Sequence, residues 1–547
     1  MGLGVLQDHK LAHVPGTSLL DDEFFGSEGA PALKHFAGAD GHIVLVPQPS
    51  DDPNDPLNWK LRHRDLLLLV HTFGYVMCSA VPGPLLAAAT SDMATALNVT
   101  VTDIALLTGY QLLVAGLLGP FVSALSRKYG KRPQFVGASF ACLIGTIICA
   151  CSDNYSGILA GRIIQGVGSC AYESMVVSLI GDMYFLHERG LRMALFNFYF
   201  GAVNLSTSII AGPIATHLGW KYLFYIYIPF MAIQCLLMVF CATETMFIRD
   251  AVFEIDVNGE DTFVTDAEKA PEPEHLEKQE SVNASTPARS VPEKRNYWRT
   301  IALCHGTYSS ESLIVLFLRP IAIILNPAIC WIVLAMAIPL AWIVCINYSI
   351  SQLYSVEPYN LSAQALGFLS IGPLIAGIIV SVFFYFISDP MAVWVSRKNN
   401  GVFEPEFRLP ICVMLGSFGV AFGCFGFGNF YEQGRGAIVS SAMIGMLCGG
   451  MTAVTIGASN YTVDAYRELS IEIVILVMSF KNILFYGFSY FFNNWVTRKG
   501  PAQVFDVLGA ISLVVCFGLS IPLYIFGKRV RSWWSRAQLL RKLKLGS

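Results

Sequence analysis

Long apolar runs alternate with short polar segments along most of this 547-residue chain. A run of about 20 apolar residues is long enough to cross the hydrocarbon core of a bilayer as an α-helix. The pattern therefore predicts an all-α membrane protein. Its twelve predicted transmembrane helices are residues 66–89, 104–124, 134–151, 157–184, 191–218, 221–243, 326–351, 363–387, 409–428, 436–462, 470–496 and 504–527.

A polar segment divides the predicted helices into two sets of six. Its middle is rich in Pro, Glu, Lys and Ser and cannot bury a core, whereas its end, ESLIVLFLRP, is expected along the membrane surface. SRKYG after the second helix and SRKNNG after the eighth suggest a duplication, and hence two pseudo-symmetric six-helix bundles. The expected divisions are a cytoplasmic polar tail (1–65), an N-terminal bundle (66–243), a partly disordered cytoplasmic linker (244–325), a C-terminal bundle (326–527) and a basic cytoplasmic tail (528–547).

Composition supports a membrane protein. Only 14% of residues are charged, against about one quarter in a soluble domain. The 14 Cys fall mostly inside apolar runs without metal-type spacing, so they are interpreted as small apolar side chains. The sequence contains no P-loop, Ser-His-Asp set or metal-ligand cluster. We therefore expect no enzyme activity, no cofactor or metal, and no nucleic-acid partner.

The distribution of basic residues predicts the orientation. Of 36 Lys and Arg, 30 lie on the side of the termini and the linker, which the positive-inside rule makes cytoplasmic. Two more, Arg162 and Lys481, lie inside predicted helices and away from their ends. Candidate glycosylation triplets begin at Asn98, Asn154 and Asn360, all in predicted outer loops. We expect a plasma-membrane protein, with the vacuolar membrane as the alternative.

The segment SALSRKYGKRP (123–133) concentrates basic side chains in the loop after the second predicted helix. There it resembles G-x-x-x-D-R-x-G-R-R, the loop signature of the major facilitator superfamily. Alignment on Gly130 matches the basic positions of the signature to Lys128, Lys131 and Arg132. The resemblance implies the twelve-helix fold of that family, in two halves with a substrate site between them.

Other segments strengthen this resemblance. GRIIQGVGS resembles the fourth-helix motif R-x-x-Q-G-x-G, carried here by Arg162, Gln165, Gly166 and Gly168. Four loop segments resemble fungal members of the twelve-span drug–proton antiporter branch, namely 182–197, 244–250, 401–410 and 461–468. The resemblance implies a small organic substrate and coupling to protons.

Two departures from the family patterns limit what the resemblance implies. Arg127 replaces an Asp that in the family is associated with charge contacts holding one transport state, so that role is not expected of it. The fifth-helix pattern of the antiporter branch, G-x8-N-x3-G-P-x2-G-G, keeps Gly212 and Pro213. Its Asn and its final Gly pair are replaced by Ser208, Thr216 and His217, which leaves the direction of transport open.

Charged side chains inside predicted helices are the candidate chemistry, because an ionisable group costs roughly 2.5–3.5 kcal/mol to insert into hydrocarbon. Glu173 is the leading candidate for proton coupling, with a permanent bond between helices as the alternative. Arg162 lies eleven residues earlier on the same helical face, about 16 Å away along the axis. Lys481 is expected to face the same central cavity, the alternative being a side chain that snorkels to the surface.

Charged residues also flank the turns after the fourth and tenth predicted helices. We interpret them as cytoplasmic latches, against ordinary solvated charges. The candidates are Asp182, Glu188, Arg189, Arg192, Asp464 and Arg467.

The sequence thus predicts a monomeric, proton-coupled secondary transporter that exports small organic molecules by alternating access. The alternative within transport is proton-driven uptake of a nutrient or a polyamine-like cation. A non-transporting sensor with a transporter body is the alternative outside transport.

Overall fold

The structure is a computed structural model, and it describes residues 5–6, 14, 17–19, 49–50, 52–247, 300–303, 306–309, 311–399, 402–466 and 469–536. Helices dominate these parts of the chain. The twelve long helices are α1 (Leu61–Ala87), α2 (Val101–Tyr129), α3 (Arg132–Cys151), α4 (Tyr155–Met183), α5 (Leu186–Leu218), α6 (Lys221–Phe240), α7 (Pro327–Tyr354), α8 (Ala363–Lys398), α9 (Pro405–Glu432), α10 (Ala437–Ala465), α11 (Ser470–Ser489) and α12 (Pro501–Ser535).

Eleven of these helices are long and apolar enough to cross a membrane. The remaining one, α5, has 33 residues, enough to extend about 50 Å. The shorter helices are Thr90–Leu97, Leu313–Ile323 (the linker helix) and Phe492–Lys499 (the surface helix). The linker helix coincides with the apolar end of the polar segment and packs against α2 and α11.

Three of the long helices contain a π-helical stretch, in which the backbone is locally underwound. These stretches are Val76–Ala80 in α1, Leu409–Met414 in α9 and Leu513–Gly518 in α12. The stretch in α1 precedes Pro82 and Pro84, which cannot donate backbone hydrogen bonds. Ser79, which belongs to the site described below, lies within this stretch.

Each set of six helices packs around its own apolar core. Phe135, Tyr172 and Phe224 are fully buried in the N-terminal half, α1–α6. The bulkiest buried side chains of the C-terminal half, α7–α12, include Trp342 and Phe427. The two halves therefore form separate packing units that meet along an interface.

Glycines permit the closest approaches between the halves. A Cβ on Gly116 of α2 would lie 2.9 Å from the carbonyl oxygen of Ser479 on α11. On the other side of the interface, a Cβ on Gly212 of α5 would lie 2.5 Å from the carbonyl oxygen of Ala363 on α8. The halves thus touch along two seams, α2 with α11 and α5 with α8.

The segment before α1 also reaches the C-terminal half. Strand β1 (Ser18–Leu19) pairs antiparallel with β2 (Val402–Phe403), which precedes α9. The Thr17 hydroxyl donates a hydrogen bond of 2.9 Å to Glu404. This segment therefore contacts the second half on the side of the molecule where α1 begins and α12 ends.

Candidate functional site

Glu173 lies midway along α4 with only 5% of its surface exposed. Both carboxylate oxygens are occupied by donors from other helices. The Ser79 hydroxyl on α1 donates to Oε1 at 2.8 Å, and Asn482 Nδ2 on α11 donates to Oε2 at 2.8 Å. Because α4 belongs to the first half and α11 to the second, the carboxylate joins the two halves.

A cation completes this cluster. Lys481 Nζ lies 3.7 Å from Glu173 Oε2, an ion pair longer than a direct hydrogen bond, and 12% of its side chain is exposed. Lys481 and Asn482 are consecutive on α11, so one turn of that helix presents both groups to the carboxylate. The structure thus brings together two of the three membrane charges singled out from the sequence.

Small residues make room for the cluster. Gly116 and Gly119 on α2 face Ser479 and Asn482 on α11, and a Cβ on Gly116 would lie 3.0 Å from the Asn482 Cβ. On the α1 side, the π-helical stretch carries Ser79, and such stretches are frequent at functional sites. Local backbone irregularity and glycine together bring three helices around one carboxylate.

Arg162 occupies a separate environment near the start of α4. It is fully buried, and its Nη1 donates to the Gln111 side chain at 2.8 Å and to the Pro82 carbonyl at 2.9 Å. Its Nε and Nη2 have no hydrogen-bond partner within the described residues. Arg162 and Glu173 both reach α1, at Pro82 and Ser79, but the guanidinium does not contact the carboxylate cluster.

The other residues of the fourth-helix motif pack α4 against its neighbours. Gln165 donates to Thr146 of α3 at 2.9 Å and accepts a hydrogen bond from Arg162. A Cβ on Gly166 would collide with the Gln111 backbone of α2, and one on Gly168 with Ala138 of α3. In this structure the motif holds three helices of the first half together.

The basic loop after α2 is bonded to the end of the first half. Glu244, just beyond α6, accepts hydrogen bonds from the backbone N–H groups of Lys131 and Arg132 at 3.1 and 3.0 Å. Lys131 Nζ also pairs with Asp182 at 2.5 Å. Gly130 has a φ of +94°, and a Cβ there would collide with the Glu244 carboxylate. The turn therefore requires glycine at this position.

Arg127 and Lys128 face away from that network. Arg127 pairs with Glu472 in the first turn of α11, the second ion pair between the halves among the described residues. Lys128 donates to the carbonyl of Glu311 at 3.3 Å, and its own carbonyl accepts from Tyr308 N–H at 2.8 Å. The Arg that replaces the Asp of the family signature thus has a carboxylate partner on the opposite half.

The other predicted latch residues pair inside one half. Asp464 at the end of α10 pairs with Arg408 at 2.5 Å, the counterpart of Asp182 with Lys131. Glu188 and Arg192 pair with residues near the start of α1, namely Arg64 at 3.0 Å and Asp65 at 3.4 Å. Arg467 and the side chain of Arg189 lie outside the described part of the chain.

The fifth-helix residues form the second seam. Gly212, followed by Pro213 inside α5, lies against the α8 backbone at Ala363. Two of the three positions that depart from the family pattern, Ser208 and Thr216, also contact α8. The Ser208 carbonyl faces Gly367, and the Thr216 hydroxyl accepts a hydrogen bond of 3.0 Å from Gln364 N–H.

The three glycosylation candidates lie at helix ends on the side opposite the termini. Asn98 follows the short helix Thr90–Leu97, Asn154 caps the start of α4, and Asn360 lies between α7 and α8. All three residues are exposed. The Asn154 Oδ1 accepts a 2.8 Å hydrogen bond from Gly157 N–H, which engages that side chain in the cap.

Three polar residues of the site, Ser79, Gln111 and Asn482, were not identified from the sequence. Each is a polar residue inside an apolar run, and such residues carry no spacing that marks their partners. The charge pattern also did not identify Glu472 as the partner of Arg127. The cost of a polar group in hydrocarbon is the one signal that could have selected all of them.

Comparison with known proteins identifies the family. The family model described as Major Facilitator Superfamily matches residues 68–480. An uncharacterized MFS-type transporter of Schizosaccharomyces pombe, C1271.10c, is 23% identical and covers 97% of this chain and 94% of its own length. The probable drug/proton antiporter YHK8 of Saccharomyces cerevisiae is 25% identical over 66% of this chain and 64% of its own.

Comparison with solved structures identifies the same fold. The solved structure of the proton:xylose symporter XylE bound to 6-bromo-6-deoxy-D-glucose aligns with a TM-score of 0.55 at 12% identity. The alignment covers 87% of this chain and all of that one. The predicted architecture of twelve membrane helices in two halves is thereby confirmed. The chain belongs to the Major Facilitator Superfamily and is a multi-pass membrane protein of the secondary transporter class.

Proposed function

We propose that this protein exports small organic molecules bearing a cationic group by proton antiport, with Glu173 as the coupling carboxyl. The observation that carries the proposal is the cluster of Ser79, Glu173, Lys481 and Asn482 across the two halves. Proton coupling needs a group that exists charged or neutral, and Glu173 is the acid in that cluster. The match to a probable drug/proton antiporter supports the direction.

In the closed arrangement, ionised Glu173 is compensated by Lys481 and by two hydrogen-bond donors. Protonation removes the attraction between the carboxyl and the ammonium, so the α4–α11 contact weakens and the halves can separate. A substrate cation entering from the cytoplasm then takes the place of the proton on Glu173. Because proton and substrate compete for one carboxylate, they cross the membrane in opposite directions.

In this scheme Lys481, which is fixed on α11, competes with the substrate cation for Glu173. In the empty transporter it occupies the position beside Glu173 Oε2 that a substrate ammonium would take. Its stem lies on the opposite half, so pairing with Glu173 favours closure of the empty protein. An antiporter that changes sides while empty leaks protons, so a pair that holds the empty protein closed opposes that leak.

Arg127 and Glu472 supply a second contact between the halves, where α2 ends and α11 begins. A partly exposed ion pair at that position holds the two halves together there and so closes the substrate pathway on the side where α2 ends and α11 begins. The family's Asp is not needed for this purpose, because Glu472 provides the acid and Arg127 the base. The pair thus serves as the state-dependent latch, while Asp182–Lys131 and Asp464–Arg408 hold each half rigid.

The remaining assignments are part of the same proposal. We place both termini in the cytoplasm and the protein in the plasma membrane as a monomer, on the charge distribution of the loops. The sequence divisions at 66–243 and 326–527 then correspond to the two moving bundles. Asn98, Asn154 and Asn360 face the outside, where glycosylation is available.

Uptake by proton symport is the second candidate, and one observation favours it. The α5 pattern associated with antiport is incomplete, and the substituting residues Ser208 and Thr216 contact α8. In this case Glu173 would hold the proton and the substrate together rather than in alternation.

A direction assay separates the two candidates. A growth screen of cells with and without the protein, across toxic and nutrient cations, selects a substrate. Labelled substrate is then offered to everted membrane vesicles with an acidic interior. Accumulation inside these vesicles, abolished by collapsing the proton gradient, is the result expected for export. Accumulation by intact cells under an inward proton gradient, with none in everted vesicles, would replace export by uptake.

A further inference from the structure

The two carboxylate oxygens of Glu173 have different neighbours. Oε2 faces the second half of the molecule, where Asn482 donates to it at 2.8 Å and Lys481 lies 3.7 Å away. Oε1 accepts a hydrogen bond of 2.8 Å from the Ser79 hydroxyl of α1. Because α1 and α4 both belong to the first half, the contact at Oε1 can persist when the halves separate, whereas the contacts at Oε2 cannot.

Ser79 is more accessible than the carboxyl to which it is bonded. Glu173 is 5% exposed, whereas Ser79 is partly exposed. The π-helical stretch that carries Ser79 packs against α3, α4, α5 and α6 of its own half. Since Glu173 also reaches α11, Ser79 borders the interface between the halves, where a transporter of this class holds its substrate pathway. The hydroxyl thus lies between the buried carboxylate and that interface.

Three other ionisable side chains lie near Glu173, namely Tyr75 on α1, Cys170 on α4 and Lys481 on α11. Tyr75 and Cys170 are both buried, so neither offers a partly exposed donor. Lys481 lies at Oε2, the oxygen that faces the second half. Ser79 is therefore the contact through which a proton can reach Glu173 without displacing the groups at Oε2.

We propose that Ser79 relays the coupled proton between water and Oε1 of Glu173, a role that rests on the proposed function of Glu173 as the coupling carboxyl. A hydronium ion gives a proton to Ser79 Oγ while the original hydroxyl proton moves to Oε1. One O–H bond forms and one breaks at the serine, so its hydroxyl is regenerated and water is left. The reverse transfer returns the proton to water. The 2.8 Å separation suits direct proton transfer, and Oε2 stays available to an ammonium group.

A relay and a simple hydrogen-bond donor differ in their kinetic effects. A donor stabilises the ionised carboxylate, so its loss slows deprotonation of Glu173 and leaves protonation as fast as before. A relay lowers the barrier to proton transfer in both directions, so its loss slows protonation and deprotonation alike. The two rates together therefore distinguish the two roles of the Ser79 hydroxyl.

The test is time-resolved infrared spectroscopy of the full-length purified protein, with the proton itself as the probe. A light-released acid or base changes the pH, and the C=O stretching band of protonated Glu173 is identified by its absence in Glu173→Gln. In Ser79→Ala the band should appear and disappear about tenfold more slowly than in the wild type. Ser79→Thr keeps the hydroxyl and should restore both rates.

Ser139→Ala is the matched control. The Ser139 hydroxyl of α3 also bonds a residue of α4 within the first half, but that residue is Tyr172, at 2.6 Å. We expect wild-type rates in this variant. If alanine at position 79 lowers the melting temperature, Ser79→Cys replaces it, because a thiol is a weak hydrogen-bonding group.

Three results would overturn the relay. The first is wild-type rates in both directions in Ser79→Ala. The second is slower deprotonation with unchanged protonation, which would make Ser79 a hydrogen-bond donor only. The third is equal slowing in Ser139→Ala, which would assign the effect to helix packing. Retention of every titrating carboxyl band in Glu173→Gln is a different outcome, because it would overturn the proposed function of Glu173 and the relay with it.

Discussion

Glu173 Oε2 on α4 and Lys481 Nζ on α11 lie 3.7 Å apart across the interface between the two halves of the transporter. Asn482 adds a hydrogen bond of 2.8 Å to the same oxygen. A single carboxylate oxygen thus receives both a cation and an amide from the opposite half. This relationship makes the charge of Glu173 a determinant of how tightly the halves are held.

The pair should behave as a coupled unit in stability measurements. Lys481→Gln leaves a buried carboxylate without its cation, and breaking a buried ion pair in this way costs about 3 kcal/mol. Glu173→Gln/Lys481→Gln removes both charges, so we expect it to recover most of that loss. Thermal unfolding of the purified variants measures the effect. Additive losses in the double variant would show that the two side chains do not interact.

The Arg127–Glu472 pair predicts a charge-reversal result. Arg127→Glu places two acids together where α2 ends and α11 begins, and Glu472→Arg places two bases there. Each single change should slow transport, with an energetic effect on the order of 1 kcal/mol for a partly exposed pair. The double variant restores an attractive pair. Failure of the double variant to exceed both single variants in initial rate would exclude the latch.

The glycine seam predicts a steric effect. In Gly116→Ala the new methyl group lies 2.9 Å from the Ser479 carbonyl oxygen, so α2 and α11 must separate. Overpacking of this kind costs roughly 1–3 kcal/mol in the closed arrangement. Gly137→Ala is the matched control, because nothing lies within 4 Å of a Cβ at that helical position. We expect slower transport only in the first variant, and equal rates in the two would remove the seam from the mechanism.

Orientation can be tested through the glycosylation triplets. If Asn98, Asn154 and Asn360 face the outside, a glycosidase that removes N-linked glycans should increase the electrophoretic mobility of the protein. Asn98→Gln/Asn154→Gln/Asn360→Gln should migrate like the treated wild type. Glycans on a variant lacking these three sites, or protection of the C-terminal tail from cytoplasmic proteases, would contradict the orientation.

The sequence predicted the fold well because hydrocarbon imposes a simple length rule. All twelve apolar runs correspond to long helices, including α4, which carries Arg162, Glu173 and Asp182. The ends were less accurate. Helix α1 begins at Leu61, five residues before the predicted start, because the helix continues through the polar stretch before the apolar run.

The site was predictable only in part. The free energy needed to bury a charge in hydrocarbon singled out Glu173 and Lys481, because a charge inside a membrane helix is expected to have a partner or a function. Their pairing depended on the rotation of α4 and α11 about their axes, which hydropathy does not specify. Ser79 reaches Glu173 from a π-helical stretch, and no residue preference in the local sequence predicts that stretch.

In the proposed cycle, Glu173 carries the coupled proton. The most direct measurement is substrate-driven proton movement in vesicles reconstituted with the purified protein and a trapped pH indicator. Glu173→Gln should insert normally and show no substrate-driven pH change. Asp506→Asn is the matched control, because Asp506 is an acid of α12 bonded to Asn429 within its own half at 3.0 Å. We expect loss of the pH change in Glu173→Gln and its retention in Asp506→Asn. A substrate-driven pH change of wild-type size in Glu173→Gln would contradict it.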